Sequence, residues 1–177
     1  MRLFVAIAVP QVVVAEPLLM IQAGVPGARW STREQLHLTL RFIGEVDGRD
    51  AAAIDDALAG IHADKFALQL KGVGEFGGKN PRALWAGVAP NEALVHLQRK
   101  IETALQRIGL EAEPRKFTPH VTLARLRSVS RGRVMDFLVD HALYASAPFE
   151  AGEFILYSSQ LTSDGSLYVP ERSYALG

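Results

Sequence analysis

Two short stretches carry the same residue types in the same order. Leu36 to Phe42 reads LHLTLRF and Phe117 to Arg125 reads FTPHVTLAR, so His37-x-Thr39 and His120-x-Thr122 each set an imidazole and a hydroxyl two positions apart. On a strand that spacing puts both groups on one face. Imidazole has an unperturbed pKa of roughly 6.5, so one ring can take a proton from water while a second, protonated, gives one to a leaving oxygen. The threonine hydroxyls can donate to phosphoryl oxygens, and a nearby arginine can meet charge that develops in the transition state. A single histidine on a strand is more often a hydrogen-bonded structural residue; it is the repetition that argues for catalysis. No carboxylate or cysteine stands in a comparable position, which makes a poor ligand set for zinc or magnesium, and neither a metal nor a cofactor is expected.

Alternation along the first strand puts Leu36, Leu38, Leu40 and Phe42 on a core face and leaves His37, Thr39 and Arg41 on the other. In the second, Val121 and Leu123 point inward and His120 and Thr122 outward. Arg125 follows His120 by five residues, and strict alternation sends it to the wrong face. It joins the histidine only if the strand bulges or twists after Leu123; otherwise it is a surface charge. Phe42, five residues after His37, is its counterpart, and is either core or free to stack on a base. Between Pro114 and Val134 stand Arg115, Lys116, Arg125, Arg127, Arg131 and Arg133 with no acidic residue, which favours an anionic polynucleotide near the second motif over a merely solvated basic run.

The elements that must position these groups read as a mixed α+β chain. Arg2 to Val9 is a strand ended by Pro10, and Val12 to Gln22 is helical in character, with Pro17 requiring a kink or a later start. Arg29 to Ser31 is a short extended piece before the first motif strand, and Gly44 to Gly48 a turn. Asp50 to Ile61 is an amphipathic helix, and Lys65 to Val73 a strand. Arg82 to Val88 forms the next strand, joined to its predecessor by a hairpin-like, mobile loop at Phe76 to Pro81. Asn91 caps a long helix running to Ile108, with Leu94, Leu97, Ile101, Leu105 and Ile108 as its stripe and Gly109 as its stop. After the second motif, a helix from Arg131 to Ala142 buries Val134, Phe137, Leu138 and Leu143. Phe149 to Leu161 is a strand, Ser163 to Gly165 a tight turn, and Ser166 to Tyr174 the return strand. Each half thus supplies strands, helices and one His-x-Thr motif. The expected architecture is one domain over 1–177 made of two pseudo-symmetric, antiparallel-sheet-plus-helix lobes with the site in a central cleft.

Composition narrows the function classes. The 177 residues carry 19 basic and 19 acidic side chains, so no global field drives indiscriminate nucleic-acid or membrane binding. Cysteine is absent, removing disulfides, thiolate nucleophiles and zinc-thiolate sites. No apolar run approaches the roughly 20 residues of a membrane helix, and MRLFVAIAVP is read as a strand rather than a secretion signal. A cytoplasmic monomer without a membrane partner is expected. Gly72, Gly74 and Gly77 fit the dinucleotide-binding pattern after a strand, but another strand follows rather than a helix, so no helix N-terminus can take a pyrophosphate. P-loop and GxSxG motifs are missing. His62, His96 and His141 fall on expected helices without partners at ligand spacing and are assigned to surfaces.

With RLFVAI at the start, Trp30 before LHLTLRFIGEV, then PRALWAGV, FTPHVTLAR and SSQLTSDGSLY, the chain resembles the two-histidine phosphoesterases over nearly its whole length, and among them the RNA 2′,3′-cyclic phosphodiesterases, also called 2′-5′ RNA ligases. The resemblance implies a bilobal α+β fold with the two HxTx motifs facing each other. It also implies metal-free opening of a 2′,3′-cyclic phosphate at an RNA end to a 2′-phosphate, with 2′-5′ ligation as the reverse. His37, Thr39, His120 and Thr122 match its motif; by the same likeness His37 is the acid on O3′, His120 the base for water, and Arg125 a phosphate contact. The alternatives are a cyclic phosphodiesterase for a small nucleotide-type substrate and an RNA-end binding module without turnover.

Overall fold

A computed structural model describes residues 1–177. Strand β1 (Arg2–Ala8) leads through a wide helical turn at Gln11–Ala15 into α1 (Glu16–Met20), then β2 (Arg29–Trp30), β3 (His37–Glu45) and α2 (Gly48–Ala59). Next come β4 (Phe66–Leu68), β5 (Leu70–Phe76), β6 (Ala83–Val88), α3 (Glu92–Arg107) and β7 (His120–Arg125). The chain closes with α4 (Arg131–Asp140), β8 (Phe149–Ala151), β9 (Glu153–Thr162) and β10 (Gly165–Ala175).

One antiparallel sheet runs β10-β9-β1-β3-β7-β6-β5, with β2 paired to β7. Its two halves meet at β3 and β7 through the single pair Leu38 and Val121. The expected pseudo-symmetric lobes are therefore the two halves of one sheet, and the motifs lie at their seam. Beneath them a continuous apolar cluster joins strand residues Val5, Ile7, Leu38, Leu84 and Val121 to Ile54 and Leu58 of α2, Leu94, Leu97, Ile101 and Leu105 of α3, and Val134 and Phe137 of α4. Truncating a fully buried member such as Ile101 to alanine is worth about 2–5 kcal/mol.

The helices start where side chains satisfy their free amides. Asp47 accepts from the Asp50 amide at 2.8 Å, Asn91 from that of Leu94 at 2.9 Å, and Ser130 from that of Arg133 at 3.3 Å. Pro17 sits near the start of α1, so the regular helix begins later than the apolar pattern does.

Elsewhere the expected elements are redrawn. The Lys65 to Val73 strand is two, because β4 leaves the main sheet at Gln69 to pair with β8. Phe149 to Leu161 divides at Gly152 for the same reason, β8 serving the small sheet and β9 the large one. Leu143 lies past the end of α4 and is 96% exposed, so it is not part of that helix's buried stripe. The glycine-rich pattern at Gly72 to Gly77 belongs to β5 and its hairpin; an added Cβ at Gly74 would lie 2.2 Å from the Trp85 ring, so this glycine makes room for an indole.

Candidate active site

A β-bulge interrupts each motif strand just after its threonine. On β3, Val5 of β1 faces Arg41 while Ala6 faces Thr39, which leaves Leu40 as an extra residue. On β7, Leu84 of β6 faces Ala124 while Trp85 faces Thr122, which leaves Leu123 extra. An extra residue reverses the parity of everything after it. Leu40 and Arg41 both turn inward, as do Leu123 and Ala124, and Phe42 and Arg125 rejoin the face that carries the histidines. Arg125 therefore shares the cleft with His120, and its charge is felt at His37.

The same bulge corrects the first motif. Arg41 is only 7% exposed, on the side of the core, and Phe42 is 51% exposed, on the cleft face. Arg41 pairs with Glu102 of α3 and donates to the carbonyls of Phe42 and Glu111, so each nitrogen of the buried guanidinium has a partner. Burial alone raises the Glu102 pKa, but hydrogen bonds from Arg41, the Glu113 amide and Gln106 outweigh it and hold the carboxyl below its ordinary range. The Leu123 bulge is held differently: its carbonyl accepts from the Ser31 amide at 2.8 Å and from Gln22 Nε2 at 3.2 Å.

The antiparallel register at Leu38 and Val121 carries His37 toward Thr122 and Thr39 toward His120, so each imidazole lies across from the other motif's hydroxyl. Both rings are hung alike. His37 Nδ1 donates to the Gln35 carbonyl at 2.7 Å, and His120 Nδ1 to the Thr118 carbonyl at 2.6 Å. A carbonyl can only accept, so each neutral ring keeps its lone pair on Nε2. Neither threonine hydroxyl makes a hydrogen bond within the protein.

An aromatic collar surrounds each imidazole. Phe4 lies 4.9 Å from the His37 ring, Tyr168 meets it edge-on at 5.1 Å, and Tyr157 stands at 6.2 Å. His120 meets Phe76 edge-on at 4.9 Å and Trp85 at 6.1 Å. Such walls exclude water and disfavour the imidazolium. Burial is the main reason the His37 pKa falls to about 4, with the charges of His120 and Arg125 adding to it against the opposing Gln35 hydrogen bond. Burial also lowers that of His120.

Sequence reasoning missed these collars; the only signal was that Phe4, Trp85 and Tyr168 fell within stretches already singled out. Of the basic run, Arg115 is held by Glu113 at 2.9 Å, whereas Arg125 has no ion pair. His62 and His141 stand outside the helices, just past α2 and α4, and His96 lies on α3; none approaches the cleft motifs in sequence or sheet register. No group of three or more His, Cys, Asp or Glu side chains comes together, so what the site offers is two imidazoles, two hydroxyls and a guanidinium. No helix is long and apolar enough to cross a membrane.

Residues 15–161 match the model of the 2'-5' RNA ligase superfamily. The chain is 30% identical over 171 residues to an RNA 2',3'-cyclic phosphodiesterase of Archaeoglobus fulgidus, covering 95% of this chain and 96% of that one. It is 32% identical over 171 residues to one from Methanocaldococcus jannaschii, with 95% and 96% covered. The crystal structure of E. coli LigT complexed with 3'-AMP superposes with a TM-score of 0.81 at 27% identity, over 99% of this chain and 97% of that one.

Proposed function

Because this chain belongs to the 2'-5' RNA ligase superfamily, we propose that it opens RNA-terminal 2′,3′-cyclic phosphates to 2′-phosphates by acid-base catalysis between His37 and His120. The observation that carries this is the matched pair of rings, each with Nδ1 tied to a carbonyl and Nε2 left for a proton, on one face of the sheet.

His120 Nε2 takes a proton from water as the oxygen attacks phosphorus. The P–O3′ bond breaks, and His37 Nε2 delivers a proton to O3′. One proton has moved from water to the leaving oxygen, and exchange with solvent resets the two rings. His37 must arrive protonated although burial lowers its pKa to about 4. A bound phosphodiester anion acts against that burial: a negative charge beside the ring stabilises the imidazolium directly and also offsets the Arg125 charge, so His37 gains its proton as substrate binds. Thr39, Thr122 and Arg125 hold the non-bridging oxygens and meet the charge that grows on them. Phe42, exposed and 6.0 Å from Phe4, offers a face for the terminal base. Ligation through a 2′-5′ linkage uses the same groups in reverse.

The test is an oligoribonucleotide ending in a 2′,3′-cyclic phosphate, incubated with chelator-treated protein. A terminal 2′-phosphate is expected. A 3′-phosphate, or activity that dies with EDTA and returns with a divalent ion, overturns the mechanism.

A further inference from the structure

Strand β2 is two residues long, yet it sets Arg29 directly opposite Arg125. Cross-strand partners share a face, so both guanidinium groups project on the cleft side. Like charges directly opposite one another destabilise a sheet, and nothing in the protein relieves this pair, since neither arginine has an ion-pair partner. The position is nonetheless firmly held. Ser31 donates from its amide to the Leu123 carbonyl at 2.8 Å and from its hydroxyl to the Thr122 carbonyl at 3.0 Å, and Trp30 packs on Phe137 at 5.7 Å between ring centroids.

The Arg29 side chain reaches toward the turn between β9 and β10. Its Nη2 and the Gln35 Nε2 each lie 3.8 Å from the point where a Cβ on Gly165 would stand. Gln35 is also the residue whose carbonyl holds His37. One arginine thus stands at the reacting phosphate and a second, fixed to the same strand, extends past it toward the β9-β10 turn. Neighbouring strands are about 4.8 Å apart, and with two long side chains diverging from them the pair suits two successive phosphates of one chain.

We propose that Arg29 binds the phosphate immediately upstream of the cyclic end, so that the cleft selects an oligoribonucleotide over a nucleoside cyclic phosphate. This rests on the cyclic-phosphodiesterase reading of the site and deepens it: a mononucleotide has no upstream phosphate and leaves Arg29 with nothing to neutralise it.

The experiment compares adenosine 2′,3′-cyclic phosphate with a tetraribonucleotide carrying the same cyclic end, using wild type, Arg29→Ala and Arg29→Lys. Arg29→Ala is expected to cost the tetranucleotide about tenfold more in kcat/KM than the mononucleotide, through KM, with Arg29→Lys recovering most of it. The slope of log affinity against log salt for the tetranucleotide should shrink by about 0.7, one phosphate's worth. Equal losses for the two substrates, or none, overturn the assignment. A fluorescein-labelled tetranucleotide with an unreactive 3′-phosphate, titrated by anisotropy, reads the same contact without turnover. If no cyclic phosphate is opened, the catalytic reading fails by itself, while tenfold weaker binding by Arg29→Ala still upholds the phosphate contact and equal binding still removes it.

Discussion

His37 and His120 are suspended identically, each Nδ1 donating to the carbonyl of the residue two positions before it, at 2.7 Å and 2.6 Å. The contact fixes both tautomer and ring direction by means of backbone, which a substitution elsewhere does not readily disturb. The two rings differ in surroundings: His37 is enclosed by three aromatic rings and feels the Arg125 charge, whereas His120 meets two rings. That asymmetry separates two otherwise equivalent groups, and by itself it makes His37 hard to protonate, so a role for His37 as the acid requires the substrate anion beside it.

Stability should fall on acidification because of His37. Its folded-state pKa of about 4 lies below the ordinary 6.5, so between those values the unfolded chain binds more protons and unfolding is favoured as pH drops. Above about 6.5 the ring is neutral in both states and the effect vanishes; below about 4 the loss is complete, on the order of 3 kcal/mol. Burial of His120 acts with the same sign. Urea midpoints taken across this window in a phosphate-free buffer should show a clearly flatter dependence for His37→Gln. A slope unchanged by the substitution would mean that water reaches the ring.

Arg125→Ala should reduce cyclic-phosphate turnover far more than Arg127→Ala or Arg131→Ala, although each removes one charge from the same basic stretch. The bulge at Leu123 brings Arg125 alone of the three onto the motif face of β7. Hydrogen bonds that strengthen as the phosphorane forms are worth about 3 kcal/mol, or roughly a hundredfold in kcat. The other two should act through KM on longer RNA and weaken with salt. Equal effects in steady-state kinetics would reduce Arg125 to a surface charge.

What the sequence made legible follows from periodicity. The motif histidines and threonines, the long helix from Asn91 and the hairpins depend on local patterns and stand where the patterns put them. Strict alternation failed after Leu40 and Leu123, because a bulge is fixed by partners distant in the chain: Glu102 for Arg41, Gln22 and Ser31 for the Leu123 carbonyl. The parity conflict at Arg125 was the only local sign of it. Arg29 gave none, since its meaning lies in a pairing across 96 positions.

Gly74→Ala should impair the site from a distance. The new Cβ would stand 2.2 Å from the Trp85 ring, so the indole must move, and Trp85 helps wall in His120. A stability loss of about 1–3 kcal/mol and a reduced kcat are expected. Adding Trp85→Leu should restore much of the stability while leaving kcat low, because the clash is gone and the wall with it. Simple additivity of the two substitutions in denaturant titrations would contradict the close approach.

Arg41→Met should be among the more damaging single changes outside the motifs. It strips Glu102 of its ion-pair partner where the carboxylate side chain is only 17% exposed, and it frees the carbonyls of Phe42 and Glu111. Glu102 is only partly buried and keeps hydrogen bonds from Gln106 and the Glu113 amide, so the unpaired carboxylate and the freed carbonyls together cost about 1–3 kcal/mol, less than a fully buried pair would. Glu102 is held below its ordinary pKa by net hydrogen bonding, so this part of the stability is present above the unfolded carboxyl pKa and lost as pH falls through the folded one. The double variant Arg41→Met, Glu102→Met should therefore recover most of the loss at neutral pH. It should not recover all the activity, since Arg41 also fixes the carbonyl of Phe42 and with it the angle at which that ring enters the cleft. Full recovery of turnover on an RNA cyclic phosphate, measured beside the denaturation midpoint, would show that Phe42 takes its place without the buried guanidinium.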